Sequence, residues 1–415
     1  MCEKTTLKEI SELITKGTTP TSIGGVFTDS GIYFIKSESI CGSKFLNRDV
    51  FGYIDEETDR KLKRSRLAKD DLLFSIAGAY LGKIGIVRDE DLPSNTNQAV
   101  GIVRLNKNVV DVNYVFYYFS QNHINQYINQ LSSQSSQPNL NLDLLGKLEI
   151  ELKDINTQQK IAAVLSSLDS KIELNNKINT ELEAMAKTLY DYWFVQFDFP
   201  DKDGKPYKTS GGKMVWNDEL KREVPDGWEV GTLLNIADYI NGLPCQKFRP
   251  TGDEFLRVIK IREMNEGFSV NSEFVSPDIP EKAIIENGDV LFSWSASLDV
   301  KIWTGGKGAL NQHIFKVTSD KYPKSFYFYQ LLNYLQHFKM MAENRKTTMG
   351  HITQEHLQQS RIAIPTEKLT LELEKIIAPI FKQKMVNEIQ NQTLSTLRDW
   401  LLPMLMNGQV TIHTD

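Results

Sequence analysis

The pentapeptide DLLFS, Asp71-Leu72-Leu73-Phe74-Ser75, returns later in the chain as DVLFS, Asp289-Val290-Leu291-Phe292-Ser293, and this recurrence decides how the rest is read. The two copies lie 218 residues apart. Downstream, Asn97-Gln98 and Asn311-Gln312 match at an offset of 214, Ile150 and Ile362 at 212, and Leu165/Leu373, Leu189/Leu397 and Asp191/Asp399 at 208. A steadily shrinking offset is what one ancestral unit leaves after small deletions in its second copy, whereas chance matches scatter. The chain is an internal duplication.

Working outward, each copy opens with apolar, β-branched runs bounded by Gly, Pro, Asn and Asp, which predicts mixed β structure with short helices. Strands are expected at Ile32 to Ile35, Asp71 to Ile76, Lys83 to Val87 and Ala99 to Leu105, then at Phe255 to Ile261, Asp289 to Ser293 and His313 to Val317. An aromatic-rich helix follows in each copy, around Tyr114 to Phe119 and Phe326 to Tyr329, and aromatics at helical spacing belong to a core.

Each copy ends in a long helix, capped by Asn156 or Thr157 in the first and Thr366 in the second. Apolar residues recur in steps of three and four: Leu165, Leu168 and Ile172, then Leu182, Ala186, Leu189 and Trp193. The second helix repeats this with Leu373, Ile376 and Ile380, then Leu394, Leu397 and Leu401. Such a seam predicts coiled-coil packing. Both seams turn polar at the same height, at Asn175 and Asn179 in one and Gln383, Asn387 and Gln390 in the other. Buried amides fix register, because a slipped pairing leaves them without partners.

The expected fold class is therefore α+β, with two mixed α/β domains alternating with two long helices that pack as an antiparallel coiled coil. The first domain spans 1–155 and its helix 156–198; a linker rich in Gly, Pro, Asp and Lys fills 199–227; the second domain spans 228–365, its helix 366–408, and a tail 409–415.

At 415 residues, 40% hydrophobic and 24% charged, the chain holds enough apolar material for several cores. Neither a signal peptide nor an apolar run long enough for a membrane helix is legible, so a soluble cytoplasmic protein is expected. Cys2, Cys41 and Cys245 are too scattered for a disulfide framework or a metal knuckle. The net charge of −5 argues against nucleic acid, yet six basic residues and no acid occupy RKLKRSRLAK, Arg60 to Lys69, so positive charge is concentrated locally.

Catalytic constellations are missing from the sequence. There is no GxxxxGK[ST] phosphate loop, no Pro-Pro of the kind adenine-methylating enzymes place at the target base, and no HExxH or zinc spacing among the six histidines. Pro200-Asp201 followed by Glu219-Leu220-Lys221 fits the loose PD…ExK pattern of Mg²⁺ nucleases, but in a linker rather than on a buried strand. A stand-alone nuclease and a coiled-coil scaffold without a DNA role stay as rival readings.

Several stretches, in order, resemble the specificity subunits of type I restriction-modification systems across essentially the whole chain. They are Gly17-Thr18-Thr19-Pro20, DLLFSIAGAYLGKIGIV from Asp71, SSQSSQPNLN from Ser132, TQQKIAAVL from Thr157, and GKPYKTSGGKMVWNDELKREVPDGW from Gly204. The resemblance implies a non-catalytic subunit with two target-recognition domains. These read the two halves of an asymmetric bipartite target in double-stranded DNA, and the helix pair sets the gap. It implies two modification subunits that bring S-adenosylmethionine for adenine methylation, and restriction subunits that bring ATP and Mg²⁺, with no cofactor or metal bound by this chain. Candidate groove loops are Ser132 to Gln137, with Ser133, Gln134, Ser136 and Gln137, and Arg345-Lys346-Thr347-Thr348. Gln98 and Gln312 recur in both copies, and Lys247, Arg249, Lys260 and Arg262 are candidate phosphate contacts. Thr19, Lys36, Ser75, Ser293 and Ser295 complete the set. The second copy has Trp294-Ser295-Ala296-Ser297 where the first has Ile76-Ala77-Gly78-Ala79, so the halves are expected to read different sequences.

Overall fold

In a computed structural model, which describes residues 3–132, 139–344 and 351–412, the chain divides into two units, Met1–Ile172 with Thr393–Asp415 and Glu173–Gln392. Each unit carries one copy of the duplicated β-rich domain. Four helices organise them: α1 (Val112–Ser120), α2 (Ile155–Phe194), α3 (Lys324–Asn344) and α4 (Glu367–Met406). α2 and α4 have 40 residues each, about 60 Å at helical rise.

The quoted pentapeptides are central strands. In the first unit Leu72–Ser75 lies between Val100–Leu105 and Ile84–Ile86, with Ser11–Lys16 completing an antiparallel sheet of four. In the second, Val290–Ser293 lies between Ile314–Thr318 and Asp299–Ile302, with Asp238–Asn241 outermost. A second, mixed four-stranded sheet accompanies each, and in both it contains one parallel pair. The acid that opens each pentapeptide has a structural task. Asp71 accepts Ala68 N–H at 2.8 Å and pairs bidentately with Arg104, both contacts at 2.8 Å; Asp289 accepts Glu286 N–H at 2.8 Å and pairs with Lys316 at 2.9 Å. A turn and a neighbouring strand are thereby tied to one carboxylate, which explains why Asp recurs.

The aromatic helices are core, as their spacing predicts. Tyr114, Phe116, Tyr117 and Phe119 are buried in the first unit, and Phe326, Tyr327 and Tyr329 in the second. Each domain also packs against both long helices. Ile161, Ala162 and Leu165 of α2 and Leu402, Leu405 and Met406 of α4 join the first core; Leu369, Leu373 and Ile377 of α4 and Ala186, Tyr190, Trp193 and Phe194 of α2 join the second.

Several sequence expectations are corrected. The cap of α2 is Asp154, whose carboxylate accepts Thr157 N–H at 3.0 Å; Asn156 and Thr157 lie inside the helix. The α4 seam drifts from the expected positions: Ile376 is 46% exposed while Ile377 is fully buried, and Leu397 is 40% exposed beside Arg398 in the seam. A helix of 3.6 residues per turn drifts against a 3.5 repeat, and here domain cores also claim part of each helix. The linker is not structureless. Met214–Asn217 and Arg222–Pro225 form a hairpin, and Phe199 stacks between Tyr207 and Trp228.

At the polar height, within the second unit, the helices run antiparallel and share an amide network. Asn387 Nδ2 donates to Asn179 Oδ1 at 2.8 Å, Asn175 Nδ2 to Gln390 Oε1 and Asn391 Oδ1 at 2.8 Å, and Gln383 Nε2 to Asn387 Oδ1 at 2.9 Å. The first unit adds a charged contact, in which Arg398 Nη1 donates to Asp169 Oδ1 at 2.7 Å and Tyr117 donates to Asp169 Oδ2 at 2.5 Å. Burial, with the carboxylate beside it, pushes the Tyr117 phenol pKa up. By the offsets of the duplication the equivalents in the second unit are Ile377, Tyr190 and Tyr329, where the solution is apolar: the Tyr190 and Tyr329 rings lie 4.9 Å apart, tilted by 32°, and Ile377 is buried with them.

Replacing Asp169 by Ala removes one of the two carboxylates that pair with the Arg398 guanidinium, whose side chain is 26% exposed, and leaves Asp399, with an expected loss of about 2 kcal/mol in unfolding free energy. The double change Asp169→Ile with Arg398→Tyr, which copies the second unit, is expected within about 1 kcal/mol of the native chain. Urea unfolding of the three proteins checks this, and equal losses in both variants would show that the pair is uncoupled.

Candidate nucleic-acid interface

One backbone frame is built twice. In the first unit Ile76 N–H donates to Ala99 O and Ile76 O accepts Leu140 N–H, both at 2.9 Å. In the second, Trp294 N–H donates to His313 O at 3.3 Å and Trp294 O accepts Ile352 N–H at 2.9 Å. Each frame therefore joins the turn after the central strand, the Asn-Gln turn, and the chain that returns from the aromatic-helix region. A fourth segment braces it. A Cβ on Gly17 would lie 2.1 Å from Thr96 O, and one on Gly242 would lie 2.2 Å from Asn311 O, so Gly-Thr-Thr-Pro and Gly-Leu-Pro reach the Asn-Gln turns only because glycine stands there.

On this shared frame the side chains differ. Ile76 is buried and its turn uses Gly78 and Gly82 at φ +82° and +80°. Trp294 instead lies against His313 and His351, with ring centroids 5.7 and 5.5 Å away, and Ala296 takes φ +56°, a conformation costing a non-glycine residue roughly 1 kcal/mol.

The sequence-derived candidates fall into three groups. Ser133, Gln134, Ser136 and Gln137, with Arg345, Lys346 and Thr347, lie outside the described residues. Ser75, Ser293 and Ser295 are buried, with the Ser293 hydroxyl spent on Ser297 O at 2.5 Å, so they shape the turns rather than face a groove. Gln98 is exposed, and its Oε1 accepts Thr19 N–H at 3.3 Å and Thr19 Oγ1–H at 2.5 Å. Gln312 sits beside His313, Nε2 to Nε2 at 3.4 Å.

Among the cations, Lys260 pairs with Glu273 and Arg262 with Glu263 at 2.5 Å, with both cations on the surface. Lys36 is 3.8 Å from Glu38 and lies over the Phe27 ring. Lys247 and Arg249 are exposed and form no ion pair among the described residues. Half of the basic run is ion-paired: Lys61 pairs with Glu57 at 2.8 Å, Arg66 with Asp59 at 2.5 Å and Lys69 with Asp89, while the Arg60 Nε donates to the Glu56 backbone carbonyl at 3.3 Å. Arg64 is different. Its Nη2 reaches Thr18 Oγ1 at 3.5 Å beside the Gln98 site. The run was legible in the sequence, but which of its members kept a free charge depended on carboxylates elsewhere in the chain.

The nuclease-like pattern resolves into a turn. Asp201 Oδ1 accepts Asp203 and Lys205 N–H at 2.8 and 2.9 Å, and the Lys205 bond leads in holding its carboxyl below the usual range; Glu219 pairs with Arg361 at 3.4 Å. Among the described residues no cluster of three metal-capable side chains occurs, and no helix is long and apolar enough to cross a membrane. Cys41 and Cys245 are free, and burial raises the Cys245 thiol pKa.

Sequence comparison agrees with the double frame. The profile of the type I restriction modification DNA specificity domain matches residues 2–184 and 225–398. The chain is similar to the type I restriction enzyme MjaIX specificity subunit of Methanocaldococcus jannaschii, 28% identical over 81% of this chain and 76% of that one. It is also similar to the HindI specificity subunit of Haemophilus influenzae, 24% identical over 91% and 94% of the two chains. The crystal structure of a type I restriction-modification S subunit from M. genitalium shares the fold, with a TM-score of 0.59 at 13% identity over 100% of this chain and 97% of that one.

Gly17→Ala and Gly242→Ala are each expected to force the bracing loop off its Asn-Gln turn at a cost of about 2–4 kcal/mol. Thermal unfolding checks the cost; an unchanged midpoint in either variant would show that the close approach is dispensable.

Proposed function

Because the chain belongs to the type I restriction modification DNA specificity family, we propose that it reads an asymmetric, two-part sequence in double-stranded DNA, one part per domain. The helix pair sets the gap between the parts, and the chain directs partner subunits to methylate adenine or to cleave. The observation that carries this reading is the backbone frame at Ile76 and Trp294, held by the same hydrogen bonds in both copies yet dressed with unlike side chains. Base edges are read by side chains in the grooves, so one main-chain frame that carries unlike side chains suits two different half-sites.

Two modification subunits fit the helices, since large apolar side chains stay exposed at positions equivalent by the 208-residue offset: Ile178 with Val386, and Tyr192 with Trp400. A docking position built twice suits a partner bound twice. S-adenosylmethionine belongs to those partners, ATP and Mg²⁺ to the restriction subunits, and the complex works in the cytoplasm, where its DNA is.

Mapping modified adenines in DNA from cells that express this chain with its modification subunits is expected to reveal a two-part motif. Exchanging residues 1–154 for another recognition domain is expected to change one half and spare the other. A motif unchanged in both halves sinks the two-reader assignment, and DNA cutting by the purified chain with Mg²⁺ alone would replace it with a nuclease.

A further inference from the structure

Gln98 is chemically half-spent. A side-chain amide oxygen has two lone pairs, and on Gln98 both are taken by Thr19, one by its N–H and one by its hydroxyl. The assignment of oxygen and nitrogen is not open to a flip, because the Thr19 backbone N–H only donates and so must face the oxygen. What Gln98 offers outward is therefore an NH₂ group alone. Bidentate recognition of adenine needs a donor and an acceptor from the same amide, and Gln98 has no acceptor left.

The neighbours are donors as well. Arg64 is exposed, forms no ion pair among the described residues, and donates to Thr18 Oγ1, which keeps that hydroxyl's own proton free to point outward. Lys63, next in the chain, is also exposed. A guanidinium, a hydroxyl and a donor-only amide on one surface, with no carboxylate among them, match an anion with several acceptor oxygens.

We propose that Arg64, Thr18 and Gln98 form a backbone-phosphate site in the first domain, which anchors duplex DNA without reading its sequence. This rests on the DNA-reading function proposed above and adds to it a division of labour: in this domain the recurring glutamine holds the backbone and leaves base reading to other residues. In the second domain Leu-Pro replaces the Thr-Thr-Pro of the first, so Gln312 keeps its amide oxygen free of a bracing hydroxyl and is not restricted in this way.

The test uses the full chain with its modification subunits, a library of random-sequence duplexes, and affinity titrations over a range of salt. Arg64→Gln is expected to lower the slope of log affinity against log salt by about 1. Gln98→Glu, which sets a carboxylate against the phosphate, is expected to weaken binding about tenfold or more for every duplex alike. Both are expected to enrich the same motif as the native chain. Lys61→Gln, which removes a cation already paired with Glu57, is expected to leave the slope unchanged. Thermal unfolding of each variant confirms an intact fold. Loss of sequence preference in one half of the motif would make these residues base readers and overturn the proposal, as would native affinity and slope in both variants. If the native complex enriches no motif at all, the DNA-reading function itself falls, and the phosphate site with it.

Discussion

The hydrogen bond from Asn387 to Asn179 sets the terms for the rest of the molecule. These two residues are each other's copies, 208 positions apart, so a residue meets its own duplicate at the centre of the polar stretch. In an antiparallel pair only one register does this. One contact on either side then comes as an image of the other: Asn391 donates to Asn176 on one side, and their copies Glu183 and Lys384 pair on the other. A slip by one turn would leave several buried amides unpaired, each costing about 1–3 kcal/mol, whereas the flanking leucines and isoleucines would tolerate the slip far better.

The repeated parts are those that carry backbone geometry. Asp71 and Asp289 tie a turn to a strand in both copies, even though their cations are Arg104 in one and Lys316 in the other. Gly17 and Gly242 permit the same close approach to the same Asn-Gln turn. The side chains mounted on this frame vary, at Ile76 against Trp294 and at Thr19 against Leu243. The main-chain hydrogen bonds at Ile76 and Trp294 leave the loops free to change what they present, because these bonds do not run through the variable side chains.

The duplication, the central strands at Leu72–Ser75 and Val290–Ser293, the aromatic cores and the amide stretch were legible in the sequence, because each leaves a local or periodic signature, whereas the edge strands Ser11–Lys16 and Asp238–Asn241 were not. What escaped was long-range. The seam of α4 was misplaced by one residue at Ile376 and Leu397, since a repeat of threes and fours cannot show which flank a domain core will claim. Asp169 and Arg398 were passed over for the same reason: their charges mark them as surface residues until the partner 229 positions away is known. Among the candidate contacts, Lys260 and Arg262 looked free because Glu273 and Glu263 become neutralising partners only when folding sets them at bonding distance. Arg64 is indistinguishable in the sequence from the other members of its run, which carry the same formal charge.

The mismatch between Asp169–Arg398–Tyr117 and its counterpart Ile377–Tyr190–Tyr329 has a consequence for what can associate with what. A helix of the α2 kind laid against another of its own kind in the native register would set Asp169 against Tyr190, and two of the α4 kind would set Arg398 against Ile377. The first buries Asp169 without a counter-ion and the second leaves Arg398 with only its neighbour Asp399, each at two symmetry-related places. At this height the two helices have thus become complementary rather than identical, and the covalent chain joins the combination in which Asp169 meets Arg398.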